Sequence, residues 1–221
     1  MSKWEAFLTG ETAVEIGAAK YRFTRLIRKY APAGGRLLET GFGTGKIAML
    51  LADAGYDVTA IDLDAALVYG HFGQAAKKCG VKISRMDMFQ TAFASASFDV
   101  VYHQGVLEHF ADDMIVAALR EAARVSRYVV FHVPNHRFRG HPFGDERLLR
   151  TSAWRRLIRS AGIDLVEEAG DQPNPLFHLI VPHAFYTRTF IERMFDTQSW
   201  MLCRSSIFVG RSSVAKPSSR A

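Results

Sequence analysis

Three glycines stand at every second position in the segment RLLETGFGTGKIAM, which spans residues 36–49. Gly41, Gly43 and Gly45 lie between an apolar run and a predicted helix. Glycine permits backbone conformations and close approaches that other residues do not. The start of a helix also presents unpaired backbone amides, so this turn favours the binding of an anionic or polar ligand.

Dinucleotide-binding folds also carry glycines between a strand and a helix. A dinucleotide-binding fold has the spacing GxGxxG, which would put its third glycine at position 46, where this chain has a lysine. The observed pattern is ExGxGxG and begins at Glu39. Glycines alone are a weak signal, so the choice depends on the residues that follow them.

Two carboxylates follow at the ends of the next two predicted strands. Asp62, in TAIDLD, can accept hydrogen bonds from both hydroxyls of a ribose, a role that would serve a nicotinamide cofactor equally well. Asp87, in SRMDMF, can accept a hydrogen bond from an exocyclic amine such as that of adenine, with Met88 packed against the ring. Both aspartates could instead be helix caps, but beside the glycine turn we favour a binding role.

Alternating strands and helices are needed to position these residues. The predicted strands are Arg36–Thr40, Asp57–Ile61, Val81–Arg85, Phe98–His103, Tyr128–Val133, Ile163–Glu168 and Ser206–Arg211. The predicted helices run from Thr12 to Tyr30, Thr44 to Ala54, Asp64 to Gly80 and Asp112 to Ser126. Strands separated by helices indicate βαβ units, and therefore an α/β fold whose parallel sheet has helices on both faces.

The composition is that of an ordinary globular domain. The chain has 221 residues, of which 48% are hydrophobic and 23% charged, so it is long enough to bury a sizeable core. No uncharged apolar run of about 18 residues occurs, and no spanning helix is predicted. The two cysteines form no CxxC or Cys/His cluster, which argues against a disulfide or zinc scaffold and favours a reduced, cytoplasmic protein.

The net charge of +6 has a local origin. Ten arginines lie between Arg120 and Arg159, against only three acidic residues. Such a stretch could meet nucleic acid or an anionic substrate. Because no nucleic-acid motif accompanies it, we favour a solvated helix face plus a loop, and we predict no nucleic-acid partner.

Together with the segment around the fourth predicted strand, these motifs resemble those of a known family. The segment FDVVYHQGVLEHF, residues 98–110, is similar to the fourth-strand motif of the class I S-adenosylmethionine-dependent methyltransferases. LLETGFGTG, IDLD and RMD resemble that family's glycine turn, ribose-binding acid and adenine-binding acid, in the same order. The resemblance covers roughly residues 20–168 and is nearest to the group that methylates small molecules. It implies S-adenosylmethionine as cofactor and S-adenosylhomocysteine as product.

The resemblance also implies which residues hold the amino-acid end of the cofactor. Glu39 and Gly41 would meet that end, Gly43 would give room in the turn, and Gln104 would touch the methionine portion near the sulfonium. One residue departs from the pattern, because Phe42 stands where the family often has cysteine or alanine. Its ring is expected to close one side of the pocket.

The nucleoside end follows in the same way from the resemblance. Asp62 would hold the ribose hydroxyls, and Leu63 would lie beside the adenine. Asp87 and the backbone amide of Met88 would read the adenine edge.

Methyl transfer requires alignment of the nucleophile with the S–C bond and exclusion of water. A general base is needed only when the acceptor must lose a proton in the step. His109, in LEHF, and His136 and His141, after the fifth predicted strand, are candidate proton acceptors. Because the LEH signature accompanies many substrates in the family, an architectural role for His109 is the main alternative. Glu108 and His109 are too few ligands to predict a metal.

The resemblance implies a doubly wound, mostly parallel, seven-stranded Rossmann-like sheet with an antiparallel last strand. We expect a single methyltransferase domain over residues 1–211, with an N-terminal helical lid at 1–30 and a disordered tail at 212–221. An aromatic-rich insertion at 169–205 separates the last two strands. Its aromatic side chains would wall an acceptor pocket or form a homodimer interface, with membrane contact as a weaker third alternative.

The resulting functional hypothesis is methyl transfer to an oxygen or nitrogen atom of a small molecule, without a nucleic-acid or membrane partner. A methyltransferase acting on RNA or a protein side chain, and a cofactor-binding homologue without activity, are the alternatives. The sequence YHQG at 102–105 differs from the NPPY-type motif of many base N-methyltransferases. Lys46 and Asp87 disfavour a dehydrogenase.

Overall fold

The computed structural model describes residues 13–138, 144–173 and 203–213. Within these ranges the α-helices are α1 (Ala13–Tyr30), α2 (Lys46–Asp53), α3 (Ala65–Tyr69), α4 (His71–Lys78), α5 (Asp112–Val125) and α6 (Thr151–Ser160). A 3₁₀ turn covers Leu107–His109. The strands are β1 (Arg36–Thr40), β2 (Asp57–Asp62), β3 (Lys82–Arg85), β4 (Phe98–Gln104), β5 (Ser126–Pro134), β6 (Ile163–Pro173) and β7 (Cys203–Ser212).

The strands form one seven-stranded sheet in the order β3-β2-β1-β4-β5-β7-β6. Strands β1 to β5 pair in parallel, and β7 runs antiparallel to both β5 and β6. This arrangement confirms the predicted fold class. The strand order reverses between β1 and β4, and in open α/β sheets ligands bind outside the carboxyl ends of the strands at such a switch point.

Helices cover both faces of the sheet. On one face, α1 to α4 pack over a core that contains Phe23, Leu26 and Ile27 of α1. On the other face, α5 and α6 pack over a second core that contains the fully buried Trp154. Phe23, Leu26 and Ile27 of the predicted lid are therefore part of the domain core, whereas residues 1–12 lie outside the described residues.

The predicted helix from Asp64 to Gly80 is two helices. The carboxylate of Asp64 caps α3 by accepting a hydrogen bond from the amide of Ala66, at 2.8 Å, as its position predicted. The chain then becomes extended at Gly70 before α4 begins. A Cβ atom at Gly73 would overlap the backbone carbonyl of Val68, so the two helices cross at backbone contact.

The last two strands are longer than predicted, because β6 continues to Pro173 and β7 begins at Cys203. The connection between them thus narrows to residues 174–202, which lie outside the described residues, as do residues 214–221 of the predicted tail. Sequence patterns also did not identify α6 as a separate helix. In the described part of the chain, no helix combines the length and apolar character needed to span a bilayer.

Candidate active site

The turn after β1 brings backbone amides to the carboxyl edge of the sheet. Gly41, Gly43 and Gly45 have φ angles of 76°, 53° and 68°, in the left-handed region that favours glycine. The amides of Gly41 and Phe42 both donate to the carbonyl of Ile61 in β2, at 3.0 and 3.2 Å. The end of β1 is thereby tied to the end of β2, directly before Asp62.

Side-chain packing explains two of the glycines. A Cβ atom at Gly41 would lie 2.5 Å from Cγ2 of Val106, and one at Gly45 would overlap the ring of Phe42. That ring is 2% exposed and belongs to the core beneath α1 and α2, and it is not among the residues that line the cavity described next. The expectation that Phe42 closes one side of the pocket is therefore wrong, because the ring fills the core and Gly45 makes room for it.

A cavity of about 490 Å³ opens at the carboxyl ends of β1, β2 and β4. This volume is within the range of small-molecule sites. Six of the eight predicted cofactor residues line it, namely Gly41, Gly43, Asp62, Leu63, Met88 and Gln104. The other lining residues are Ile61, Asp64, Leu67, Met86, Phe89, Gly105, Val106, His109 and Phe110.

Asp62 presents a carboxylate to this cavity from the end of β2. Its Oδ1 accepts the amide of Asp64 at 2.9 Å, and its Oδ2 lies 3.4 Å from the amide of Gly43. Burial raises the pKa of Asp62, and the backbone amides partly oppose that effect. A partly desolvated carboxylate fixed by backbone groups is well suited to accept further hydrogen bonds from ligand hydroxyls.

Apolar side chains form the adjoining part of the wall. Leu63 lines the cavity and is 53% exposed, and Met86, Met88 and Phe89 also line it. Asp87, between the two methionines, is exposed and is not among the lining residues. Its Oδ1 accepts the amide of Phe89 at 2.9 Å, which fixes the turn after β3.

Glu39 lies deeper than the other predicted cofactor residues. It is buried in β1, pairs in register with Tyr102 of β4, and does not line the cavity. Burial raises the pKa of Tyr102, and the negative charge of Glu39 adds to that effect. The structure thus places Glu39 beside Tyr102, within the sheet layer below the glycine turn.

The two candidate catalytic histidines have different surroundings. His109 lines the cavity from the 3₁₀ turn after β4, and its Nδ1 lies 2.8 Å from Oδ1 of Asp145. His136 is exposed in the turn after β5 and does not line the cavity. Partial burial, with the charges of Arg137 and Arg150, lowers the pKa of His136. His141 lies outside the described residues.

Two acidic residues at this site had no role predicted from sequence. Asp145 reaches His109 across 36 positions of sequence, which no local motif could indicate. Glu108 is 3% exposed, and its Oε2 has no hydrogen-bond partner among the described residues. Burial raises the pKa of Glu108 to about 8, with smaller contributions from the charges of Glu146 and Asp145.

The described residues contain no group of three His, Cys, Asp or Glu side chains that could hold a metal ion.

The strand order, the glycine turn and the carboxylate at the end of β2 define the class I methyltransferase architecture. A family model described as a methyltransferase domain matches residues 38–128. The chain is 31% identical over 165 residues to a ubiquinone biosynthesis O-methyltransferase of Aromatoleum aromaticum, covering 65% of this chain and 70% of that protein. The chain belongs to the class I S-adenosylmethionine-dependent methyltransferases, and its cofactor is S-adenosylmethionine.

Two further comparisons differ in what they cover. The chain is 27% identical over 126 residues to the eEF1A lysine and N-terminal methyltransferase of Mus musculus. The aligned region covers 55% of this chain but 18% of that protein. The structure of a SAM-dependent methyltransferase from Aquifex aeolicus superposes with a TM-score of 0.67 and 12% identity, covering 96% of this chain and all of that one. This last likeness shows the fold alone.

The residues present fit the cofactor. Gly41 and Gly43 line the cavity without a side chain, the Asp62 carboxylate can accept hydrogen bonds from ligand hydroxyls, and Leu63 with Met88 offers an apolar surface for a flat ring. We therefore expect Asp62→Ala to weaken S-adenosylhomocysteine binding by about 10- to 100-fold, because charge-assisted hydrogen bonds are lost. Isothermal titration calorimetry on the folded variant measures this change.

Asp57→Ala is the matched control for that experiment. Asp57 begins the same strand, but its carboxylate pairs at the surface with Lys82 at 2.7 Å. This variant should bind S-adenosylhomocysteine as the wild type does. Equal affinities of the wild type and Asp62→Ala for S-adenosylhomocysteine would show that Asp62 does not contribute to cofactor binding.

The raised pKa of Glu108 predicts a pH-dependent contribution to stability. Between its ordinary pKa of 4.5 and its folded value of about 8, the folded state keeps a proton that the unfolded state releases. The free energy of unfolding should therefore fall as the pH rises through this window, by at most about 1.4 kcal/mol per pH unit from this group. Glu108→Gln mimics the protonated side chain and should abolish this slope.

Urea unfolding of the wild type and of Glu108→Gln at pH 5, 6, 7 and 8 tests this prediction. The variant should gain stability relative to the wild type as the pH increases. A difference in unfolding free energy that stays constant across the series would show that Glu108 is ionised in the folded protein at neutral pH.

Proposed function

We propose that this methyltransferase transfers the methyl group to an oxygen or nitrogen atom of a small molecule. The observation that carries the proposal is the extent of the similarity to the ubiquinone biosynthesis O-methyltransferase, which covers 70% of that protein. The similarity to the eEF1A methyltransferase covers only 18% of its length. A protein acceptor is the second candidate function, and that weaker similarity is the observation that favours it.

The cavity residues divide into two ends in this proposal. Asp62 accepts the ribose hydroxyls, and Leu63 and Met88 cover the adenine, with Asp87 at the adenine edge. At the other end, Gly41 and Gly43 leave room for the amino-acid portion, Glu39 supports it from below, and Gln104 lies near the sulfonium. When bound, the cofactor supplies a methyl group on a positively charged sulfur, which keeps the electron pair of the S–C bond when that bond breaks.

His109 is the better placed of the two histidines to accept a proton from the methyl acceptor. His109 lines the same cavity as Gln104, which precedes it by five residues. His136 lies in an exposed turn and does not line the cavity. Alignment of the acceptor in a site shielded from water supplies the rest of the rate enhancement. A homodimer formed through residues 169–205 and a cytoplasmic location remain predictions.

The test divides a cell extract into small-molecule, protein and RNA fractions, each incubated with methyl-labelled S-adenosylmethionine and the purified protein. Label should enter the small-molecule fraction, and mass spectrometry should find a product heavier by one methyl group. Asp62→Ala serves as the control with impaired cofactor binding and should transfer far less label. Label that enters only the protein or RNA fraction would refute a small-molecule acceptor.

A further inference from the structure

We infer that Asp145 is a positioning residue for His109, and that the pair fits an acceptor whose hydroxyl group loses its proton during methyl transfer. This inference rests on the proposed small-molecule function and specifies the chemical class of the acceptor. The side chain of His109 is 11% exposed at the cavity wall. Asp145, whose side chain is 55% exposed, lies on the segment that follows β5 in the sequence.

The contact between the two side chains selects the protonation form of the imidazole. Nδ1 of His109 lies 2.8 Å from the carboxylate oxygen of Asp145, so the ring donates its Nδ1 proton to that oxygen. The hydrogen bond made at one ring nitrogen decides the state of the other. Nε2 is then the nitrogen with a lone pair, and a proton acceptor requires such a nitrogen.

The segment that carries Asp145 is anchored to the turn that carries His109. The amide of Arg147 donates to the carbonyl of Glu108 at 2.8 Å, and its guanidinium donates to the carbonyl of Phe110 at 2.7 Å. The same guanidinium bonds the carboxylate of Asp112 at 2.6 Å. Because Asp145 is only two residues from this anchor, its contact with His109 is organised before any ligand binds.

Acidic side chains are the commonest ionisable groups around His109. Asp145 and Glu146 lie on the anchored segment, Glu108 precedes His109 in the turn, and Asp62 and Asp64 line the same cavity. Arg147 is a cation on that segment, and Asp112 pairs with it. A carboxylate on Nδ1 stabilises the imidazolium that forms when Nε2 takes up a proton.

The acceptor oxygen forms its new bond to the methyl carbon while the sulfur retains the electrons of the broken bond. The hydroxyl proton passes to Nε2 of His109, and the imidazolium later releases it to water. A neutral amine can attack with its own lone pair and lose its proton afterwards, so a fixed proton acceptor at this wall is more useful for a hydroxyl.

The first test is a spectroscopic measurement that needs no acceptor. Protein labelled with ¹⁵N-histidine is bound to S-adenosylhomocysteine, and the His109 signals are identified by their loss in His109→Gln. We expect a proton fixed on Nδ1 in the wild type, a mixture of tautomers in Asp145→Ala, and recovery in Asp145→Glu. Glu146→Gln is the matched control and should leave the signals unchanged. The same tautomer in wild type and Asp145→Ala would overturn the inference.

The second test separates positioning from a purely structural contact. The rate of label transfer into the small-molecule fraction of a cell extract is measured from pH 6 to pH 9. Asp145→Ala should lower the rate by about 10- to 100-fold and move the acid limb of the profile to lower pH, with unchanged S-adenosylhomocysteine affinity. Asp145→Glu should restore part of the rate and should move the acid limb part of the way back.

The outcomes distinguish a failure of the inference about Asp145 and the hydroxyl acceptor from a failure of the proposed function. An unchanged rate and pH profile in Asp145→Ala would refute a positioning role even if the tautomer changes. Label that forms an N-methyl product would refute the hydroxyl class. If wild-type protein transfers no label to small molecules, the proposed function fails, and the ¹⁵N spectra still decide whether Asp145 sets the state of His109.

Discussion

The two hydrogen bonds from the amides of Gly41 and Phe42 to the carbonyl of Ile61 determine the geometry of the whole site. They hold the ends of β1 and β2 together just where the chain leaves the sheet, and so bring the carboxylate of Asp62 to the amide of Gly43. The turn can adopt this path because its three glycines have positive φ angles and because Phe42 turns inward to fill the core. The same turn therefore closes the core and opens the cavity.

The local charge at the cavity opposes the charge of the whole chain. The net charge is +6, yet the described residues that line the cavity include two aspartates and no lysine or arginine. Glu108 and Asp145 add further carboxyl groups beside the wall, although the raised pKa of Glu108 keeps it largely protonated at neutral pH. A site of this polarity attracts a cationic ligand such as a sulfonium compound.

Sequence patterns predicted most of the scaffold because alternating strands and helices are local signals. The bounds of β1 agree with the prediction, and the cap at Asp64 was recognised from its residue type. The break at Gly70 was not, because it depends on the backbone contact between Gly73 and Val68 in three dimensions. For the same reason the inward orientation of Phe42 could not be predicted from the residue alone.

Motifs that are contiguous in sequence predicted six residues that line one cavity. The contact between Asp145 and His109, by contrast, joins segments that only the fold brings together. The roles proposed for Asp62, Leu63 and Met88 require that the cavity at β1, β2 and β4 is the cofactor site. The structure of the protein bound to S-adenosylhomocysteine tests this most directly. We expect the ribose hydroxyls on the Asp62 carboxylate and the adenine against Leu63 and Met88. A ligand bound elsewhere, or a ribose that does not contact Asp62, would contradict this expectation.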